Sequence, residues 1–263
     1  MDTTQAVILA LIQGLTEFLP VSSSAHLILL PKLTGRPDQG LAFDVALNTA
    51  TWLAVVIYFR AELRSLLSGA FRSARTGSLT KEGRTALLIA AATAPVAAAG
   101  LAGHDFIETH LRSVHVIAWS SIVWGMVLWA ADRHPGASDA EEIGWKAAMV
   151  VGAAQALALI PGTSRSGITI TAGLFMGLSR VGAARFSFLL AVVVGAMAGG
   201  LEGLKLVEAG WDTPWAAVAT GFAVAFATAY LTIHLFLEAL SRISMTPFVA
   251  YRVLLGILLL VLL

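Results

Sequence analysis

The sequence predicts an all-α polytopic membrane protein built as an inverted-topology repeat, each half one re-entrant helical hairpin plus three transmembrane helices. Three observations carry this reading. The 263 residues are 57% hydrophobic and 13% charged, with mean hydropathy +0.81; soluble domains of this size do not have that balance. Two segments read alike: residues 18–26 are Phe-Leu-Pro-Val-Ser-Ser-Ser-Ala-His, and residues 159–167 are Leu-Ile-Pro-Gly-Thr-Ser-Arg-Ser-Gly. Each is an apolar pair, a proline and a burst of hydroxyls inside hydrophobic sequence, and matching breaks in two halves of an apolar chain mark a functional site. Lysine and arginine, finally, divide unequally between alternate connections.

The elements follow in order. The first half, 1–135, opens with residues 6–30, apolar but interrupted at Pro20. This reads as two short helices joined at a break, which a membrane tolerates only where the backbone is buried in protein or lines a cavity. Spans are expected over about 40–59, 85–102 and 114–131, each close to the length a bilayer core needs. The second half, 136–263, repeats the pattern: a hairpin over 146–177, then spans over about 183–204, 215–237 and 247–263. Met-Asp-Thr-Thr-Gln lacks the positive n-region of a signal peptide, so residues 1–30 are expected to belong to the fold. Aligning the two breaks on their prolines pairs Pro20 with Pro161, Ser22 with Thr163 and Ser23 with Ser164.

Orientation comes from the basic residues. The connection 60–84, taken as the longest loop, carries Arg60, Arg64, Arg72, Arg75, Lys81 and Arg84 and is placed in the cytoplasm. Alternation then puts Arg133, Lys146, Arg180, Arg185, Arg242 and Arg252 inside as well, leaving Lys32, Arg36, Arg112 and Lys205 outside. The first hairpin enters from outside and the second from inside.

Composition also excludes classes of function. A net charge of +1 and no basic run with interleaved aromatics argue against nucleic-acid binding. The absence of cysteine removes disulfides, thiolate chemistry and cysteine metal sites.

Glu17, His26 and Arg165 are ionisable residues placed at membrane depth, where each is costly and suggests function. Gln13 and Glu17 are four apart, on one face of the first half-helix. Ser22, Ser23 and Ser24 follow Pro20 at the start of the second half-helix, with His26 three residues beyond Ser23. The second break offers Gly162, Thr163, Ser164, Arg165 and Ser166 at another helix start. Helix N-termini and an arginine suit phosphate. A carboxylate suits a divalent cation, a general base or the orientation of a histidine, and serine or histidine can be a nucleophile. The structural alternatives are plain: serines after a proline as caps, His26 as a packed residue, and Glu17 with Arg165 as an ion pair. Asp44 and Asn48, near the outer end of a span, divide evenly between capping and site roles.

Gln-Gly-Leu-Thr-Glu-Phe-Leu-Pro-Val-Ser-Ser-Ser-Ala-His-Leu at 13–27 resembles the first signature of undecaprenyl-diphosphate phosphatases of the bacitracin-resistance type. Pro-Gly-Thr-Ser-Arg-Ser-Gly at 161–167 resembles the second, and the likeness runs over essentially the whole chain. The resemblance implies hydrolysis of undecaprenyl diphosphate to the monophosphate at the outer face of the bacterial cytoplasmic membrane. It implies catalytic roles for Glu17, Ser23, His26 and Arg165. Gln13, Gly162, Thr163, Ser164, Ser166, Ser22 and Ser24 then serve the substrate. Glu17 is implied as ligand to a divalent cation, Mg²⁺ or Ca²⁺. Gln13 stands where the family commonly has glutamate, so Glu17 must carry the acidic role. Of the two nucleophile candidates His26 is slightly favoured, because neutral imidazole attacks near pH 7 without a separate base. The partners implied are the polyprenyl diphosphate and membrane lipids, with a homodimer left open. The alternative is a transporter or flippase of the polyprenyl phosphate carrier, since inverted repeats with broken helices are typical of secondary transporters.

Overall fold

The computed structural model describes residues 3–35, 39–111, 113–209 and 215–262. Arg36 and Arg112, and the side chain of Lys32, fall outside the described residues. Every named element among the described residues is helical. They are α1 (Thr3–Thr16), α2 (Ser23–Thr34), α3 (Leu41–Tyr58), α4 (Arg60–Thr76), α5 (Lys81–His110), α6 (Val114–Asp132), α7 (Trp145–Gln155), α8 (Arg165–Phe175), α9 (Arg180–Ala209), α10 (Trp215–Leu240) and α11 (Thr246–Leu262).

Helices α3, α5, α6, α9 and α10 are long and apolar enough to cross a membrane. The expected sixth span, 247–263, falls on α11, an apolar helix of 17 described residues. The connection 60–84 is corrected, because most of it is helix α4. Leu63, Leu66, Leu67, Ala70 and Phe71 recur at helical spacing there, but the arginines between them lower the mean hydropathy and hide the pattern. Glycine closes the turn: a Cβ on Gly83 would lie 2.8 Å from the Gly69 carbonyl oxygen, so α4 and α5 meet backbone to backbone. Thr80 caps α5 by accepting from the Gly83 amide at 3.0 Å.

Both interrupted segments are broken where expected. α1 and α2 flank residues 17–22; α7 runs into a 3₁₀ turn, Ala156–Leu159, and then a bend before α8. Small residues allow close packing around them. A Cβ on Gly14 of α1 would lie 2.9 Å from the Ala225 carbonyl oxygen of α10, and one on Gly152 of α7 would lie 2.3 Å from that of Ala92 in α5. Phe18 sits beneath the first break, edge-on to Phe188 of α9 at 5.1 Å between ring centroids.

At one end of the bundle, charged groups tie helix ends together. The Asp132 carboxylate accepts Arg180 Nε at 2.5 Å and the Met245 amide at 2.8 Å, joining the end of α6 to the starts of α9 and α11. Arg185 pairs with Glu62 at 2.7 Å and Lys81 with Glu141 at 2.9 Å.

Candidate active site

The first break begins as a continuation of α1, with the Glu17 amide still bonded to the Gln13 carbonyl at 3.0 Å. Pro20 brings no N–H, and Ser22 then takes φ 74° and ψ 92°. In the second break Gly162 has φ 89°, and Ser164 takes φ 70° and ψ 116°. Ser22 and Ser164 are the only non-glycine residues with positive φ among those described. Each is followed at once by a helix, and each hydroxyl meets that of the serine two residues on: Ser22 to Ser24 at 3.3 Å, Ser164 to Ser166 at 3.2 Å.

These equivalences correct the proline-anchored register by one residue. One residue separates Pro20 from Ser22, but two separate Pro161 from Ser164. The structural partners are therefore Ser22 with Ser164, and Ser23 with Arg165. Extending back nine residues pairs Gln13 with Gln155, and both glutamines are buried.

The two breaks meet. Arg165 Nη2 donates to Glu17 Oε1 at 2.7 Å, with both side chains 20% exposed. Ser23 Oγ donates to Glu17 Oε2 at 2.6 Å, and Gln13 Nε2 donates to the same oxygen at 3.1 Å. Ser166 Oγ donates to the Leu19 carbonyl at 2.9 Å. The Arg165 Nη1 group is buried and has no partner. A cavity of about 450 Å³ opens beside this cluster between α3 and α9; Glu17, Arg165, Asn48, Trp52, Gly195 and Glu202 are among its lining residues.

Other expected site residues lie elsewhere. Gly162, Thr163, Ser164 and Ser166 are buried behind the cluster. Ser164 caps α8 by accepting from the Gly167 amide at 3.1 Å. Ser22 is buried and Ser24 exposed. His26 faces α11: its Nδ1 is 2.7 Å from the Ser22 carbonyl, its Nε2 is 2.5 Å from the Tyr251 hydroxyl, and the two rings stack. A carbonyl can only accept, so Nδ1 carries the proton and the Nε2 lone pair takes the tyrosine O–H. No hydrogen bond joins His26 to Ser23 or Glu17 among those described.

Arg252 is the main residue that sequence reasoning misplaced. It was assigned to the cytoplasmic face on charge alternation, yet it is 1% exposed in the centre of the molecule. Its guanidinium donates to the carbonyls of Pro20 (3.2 Å), Gly162 (2.9 Å), Thr163 (2.9 Å), Ser120 (3.3 Å) and Ser121 (3.2 Å). One side chain from α11 thus holds both breaks and α6 together. The physical reason is that the irregular backbone at Pro20, Gly162 and Thr163 leaves carbonyls without helical partners, and the guanidinium supplies donors to them while its remaining reach ties in two carbonyls of α6. The signal available was an arginine six residues into an apolar helix. Asn48 and Glu202 were also undervalued: Gln13 Nε2 donates to Asn48 Oδ1 at 3.0 Å, and Asn48 Nδ2 donates to Glu202 Oε2 at 3.3 Å.

Fold and site together define a helical, multi-pass membrane protein with a carboxylate, a guanidinium and a serine hydroxyl gathered at two apposed helix breaks. The chain belongs to the family described as bacitracin resistance protein BacA, whose model matches residues 6–258. It is 51% identical over 260 residues to the undecaprenyl-diphosphatase of Teredinibacter turnerae, covering 98% of each chain. It is 50% identical over 266 residues to undecaprenyl-diphosphatase 2 of Stutzerimonas stutzeri, covering 100% of this chain and 98% of the relative.

Proposed function

We propose that this chain is an undecaprenyl-diphosphatase that releases phosphate from undecaprenyl diphosphate and returns the monophosphate carrier to cell-wall synthesis. The carrying observation is the Ser23–Glu17–Arg165 cluster. A serine hydroxyl donates to a carboxylate at 2.6 Å, and that carboxylate is held by an arginine whose other terminal nitrogen is unpartnered. This is a nucleophile beside a base, next to a group that recognises phosphate.

Ser23 Oγ attacks the terminal phosphorus, and its proton passes to Glu17 Oε2. The bond from phosphorus to the bridging oxygen breaks, and undecaprenyl phosphate leaves with that oxygen. Glu17 yields that proton to the departing undecaprenyl phosphate; water then attacks the phosphoserine, Glu17 takes the water's proton and passes it to the leaving Ser23 oxygen, and inorganic phosphate departs. Arg165 Nη1 and the first-turn amides of α2, which Ser22 leaves uncapped, face the developing charge. The geometry favours Ser23 over His26, whose two ring nitrogens are engaged by Ser22 and Tyr251.

The residues present fit a divalent cation such as Mg²⁺ or Ca²⁺. Such hard ions take oxygen ligands. Glu17 lines the cavity, and the adjacent Gln13 Oε1 is a buried acceptor without a donor. When bound, the ion would neutralise charge on the diphosphate. The two broken segments serve as re-entrant hairpins of an inverted repeat in the bacterial cytoplasmic membrane, with the site open to the outside. The shared geometry of Ser22 and Ser164 supports the repeat. Arg180 and Arg185 at the start of α9, paired with Asp132 and Glu62, support a cytoplasmic position for that end.

The test is phosphate release from undecaprenyl diphosphate by purified protein in detergent. Turnover without a sealed bilayer is expected of an enzyme; activity only across a sealed bilayer would indicate a flippase. Quenched reactions should carry an acid-stable phosphoryl group on Ser23, and an acid-labile adduct on His26 overturns the assignment of the nucleophile.

A further inference from the structure

We propose that α4 is an interfacial helix that docks on acidic phospholipid headgroups, with Leu67 and Phe71 in the acyl boundary and Arg64 and Arg75 on lipid phosphates. The leaflet follows from the orientation proposed above and is the cytoplasmic one; the lipid contact itself does not depend on it. The chain places this helix at a membrane surface. α4 follows one candidate span, which ends at Tyr58, and precedes another, which begins at Lys81, so both of its ends adjoin span ends.

The apolar arc of α4 is wider than the protein covers. At helical spacing Leu66, Ala70, Leu63, Ala74, Leu67 and Phe71 form one continuous arc. One edge packs on the bundle, where Leu66 is buried and Gly69 lets α5 approach. The other edge is bare: Leu67 is 71% and Phe71 69% exposed. Charge decides what covers it. Segment 60–84 carries six basic residues against Glu62 and Glu82. Both glutamates are taken, by Arg185 and Arg72, and Lys81 is held by Glu141. Arg64 and Arg75 are exposed and form no ion pair among the described residues. Arg64 lies three residues before Leu67 and Arg75 four after Phe71, so both border the bare edge. Apolar side chains flanked by free cations suit the boundary of headgroups and acyl chains. The arginine stems lie along the apolar layer while the guanidinium forks meet phosphate oxygens. A second copy of the chain fits this edge poorly, because a two-fold contact would bring the unpaired arginines of both copies together.

The chain has no cysteine, so A74C on the exposed arc offers a single attachment point for a nitroxide. The labelled full chain is placed in vesicles of phosphatidylcholine alone or mixed in equal parts with phosphatidylglycerol. Electron paramagnetic resonance then compares collisions with oxygen, which dissolves in lipid, and with an aqueous nickel complex. In the mixed vesicles the label should favour oxygen, at a depth of about 5–10 Å. R64Q/R75Q should move it toward water by roughly 25-fold in its lipid–water partition, at about fivefold for each arginine near an acidic surface. If that variant does not fold, the unsubstituted chain carries the test: neutral vesicles or high salt should move the label the same way. A label that stays aqueous in mixed vesicles, or that is equally deep in neutral vesicles, overturns the proposal. A label shielded from both reagents marks a protein partner and also overturns it. Orientation is read separately on S78C, in the exposed turn after α4. Reaction with an impermeant maleimide on intact spheroplasts overturns the cytoplasmic orientation and leaves the lipid contact to the depth measurement.

Discussion

Ser22 and Ser164 hold the same unusual backbone conformation at equivalent points of the two breaks, φ 74° and φ 70°. Positive φ costs a residue with a Cβ roughly 1–2 kcal/mol, and here it turns the chain so that the next residue, Ser23 or Arg165, begins a helix facing Glu17. The Ser164 side chain recovers part of that cost as a cap, whereas Ser22 makes no side-chain cap bond.

Ser22→Gly should therefore stabilise the protein by about 1 kcal/mol, because glycine adopts positive φ without the Cβ penalty. Ser164→Gly should gain less, because the cap on the Gly167 amide goes with the hydroxyl. Thermal unfolding midpoints in detergent would order the two, and a Ser164→Gly protein more stable than Ser22→Gly contradicts this account.

Glu17→Gln should lower kcat by about 10²–10⁴-fold, the range for loss of a positioned base. Gln13 cannot replace it, because an amide takes no proton near neutral pH. Single-turnover phosphate release gives the measurement, and near-normal turnover would remove Glu17 from proton transfer.

Ser23→Ala should cost far more than His26→Ala. The first removes the attacking oxygen. The second removes a ring that contacts only Ser22 and Tyr251 by hydrogen bonds, a loss expected to be about 0.5–1.5 kcal/mol for each bond. Comparing kcat of the two variants decides the matter, and the reverse order returns the nucleophile to His26.

Arg165→Lys should lose about 2–4 kcal/mol of transition-state stabilisation, or roughly 30- to 1000-fold in kcat/KM. A lysine can keep the Glu17 pair or reach the phosphate, but not both. Full activity in the lysine variant would make the second guanidinium nitrogen irrelevant.

Arg252→Met should destabilise the fold by about 3 kcal/mol, since it strips donors from the buried carbonyls of Pro20, Gly162 and Thr163 in the two breaks. Ser23 reactivity should fall alongside, because Pro20 and Thr163 lose their common anchor. Equal unfolding midpoints for variant and wild type would refute the clamp.

Much of this arrangement was legible in the residues. Apolar content, the two proline breaks and the intramembrane charges led to a helical membrane protein and to Glu17, Ser23 and Arg165. Their convergence at 2.6–2.7 Å follows the pairing of the breaks. Hydropathy could not reveal α4, because arginines on its polar face mask the apolar one. Charge alternation misassigned Arg252, because that rule counts cations at loops and is blind to a cation whose partners are backbone carbonyls. Proline alignment slipped by one because the serine with positive φ, not the proline, is the fixed point of the turn. Glu202 gave no signal and Asn48 only an even division between capping and site roles, because only the packing of α3, α9 and α1 makes them neighbours.

The Arg252 clamp also sets a timetable. Glu17, Ser23 and Arg165 all leave the ribosome well before residue 252, so the reacting groups exist in the nascent chain while the part that fixes their spacing does not. Chains halted or clipped ahead of α11 would carry the whole catalytic vocabulary and remain inert, so carrier lipid meets a working hydrolase only after α11 has been inserted.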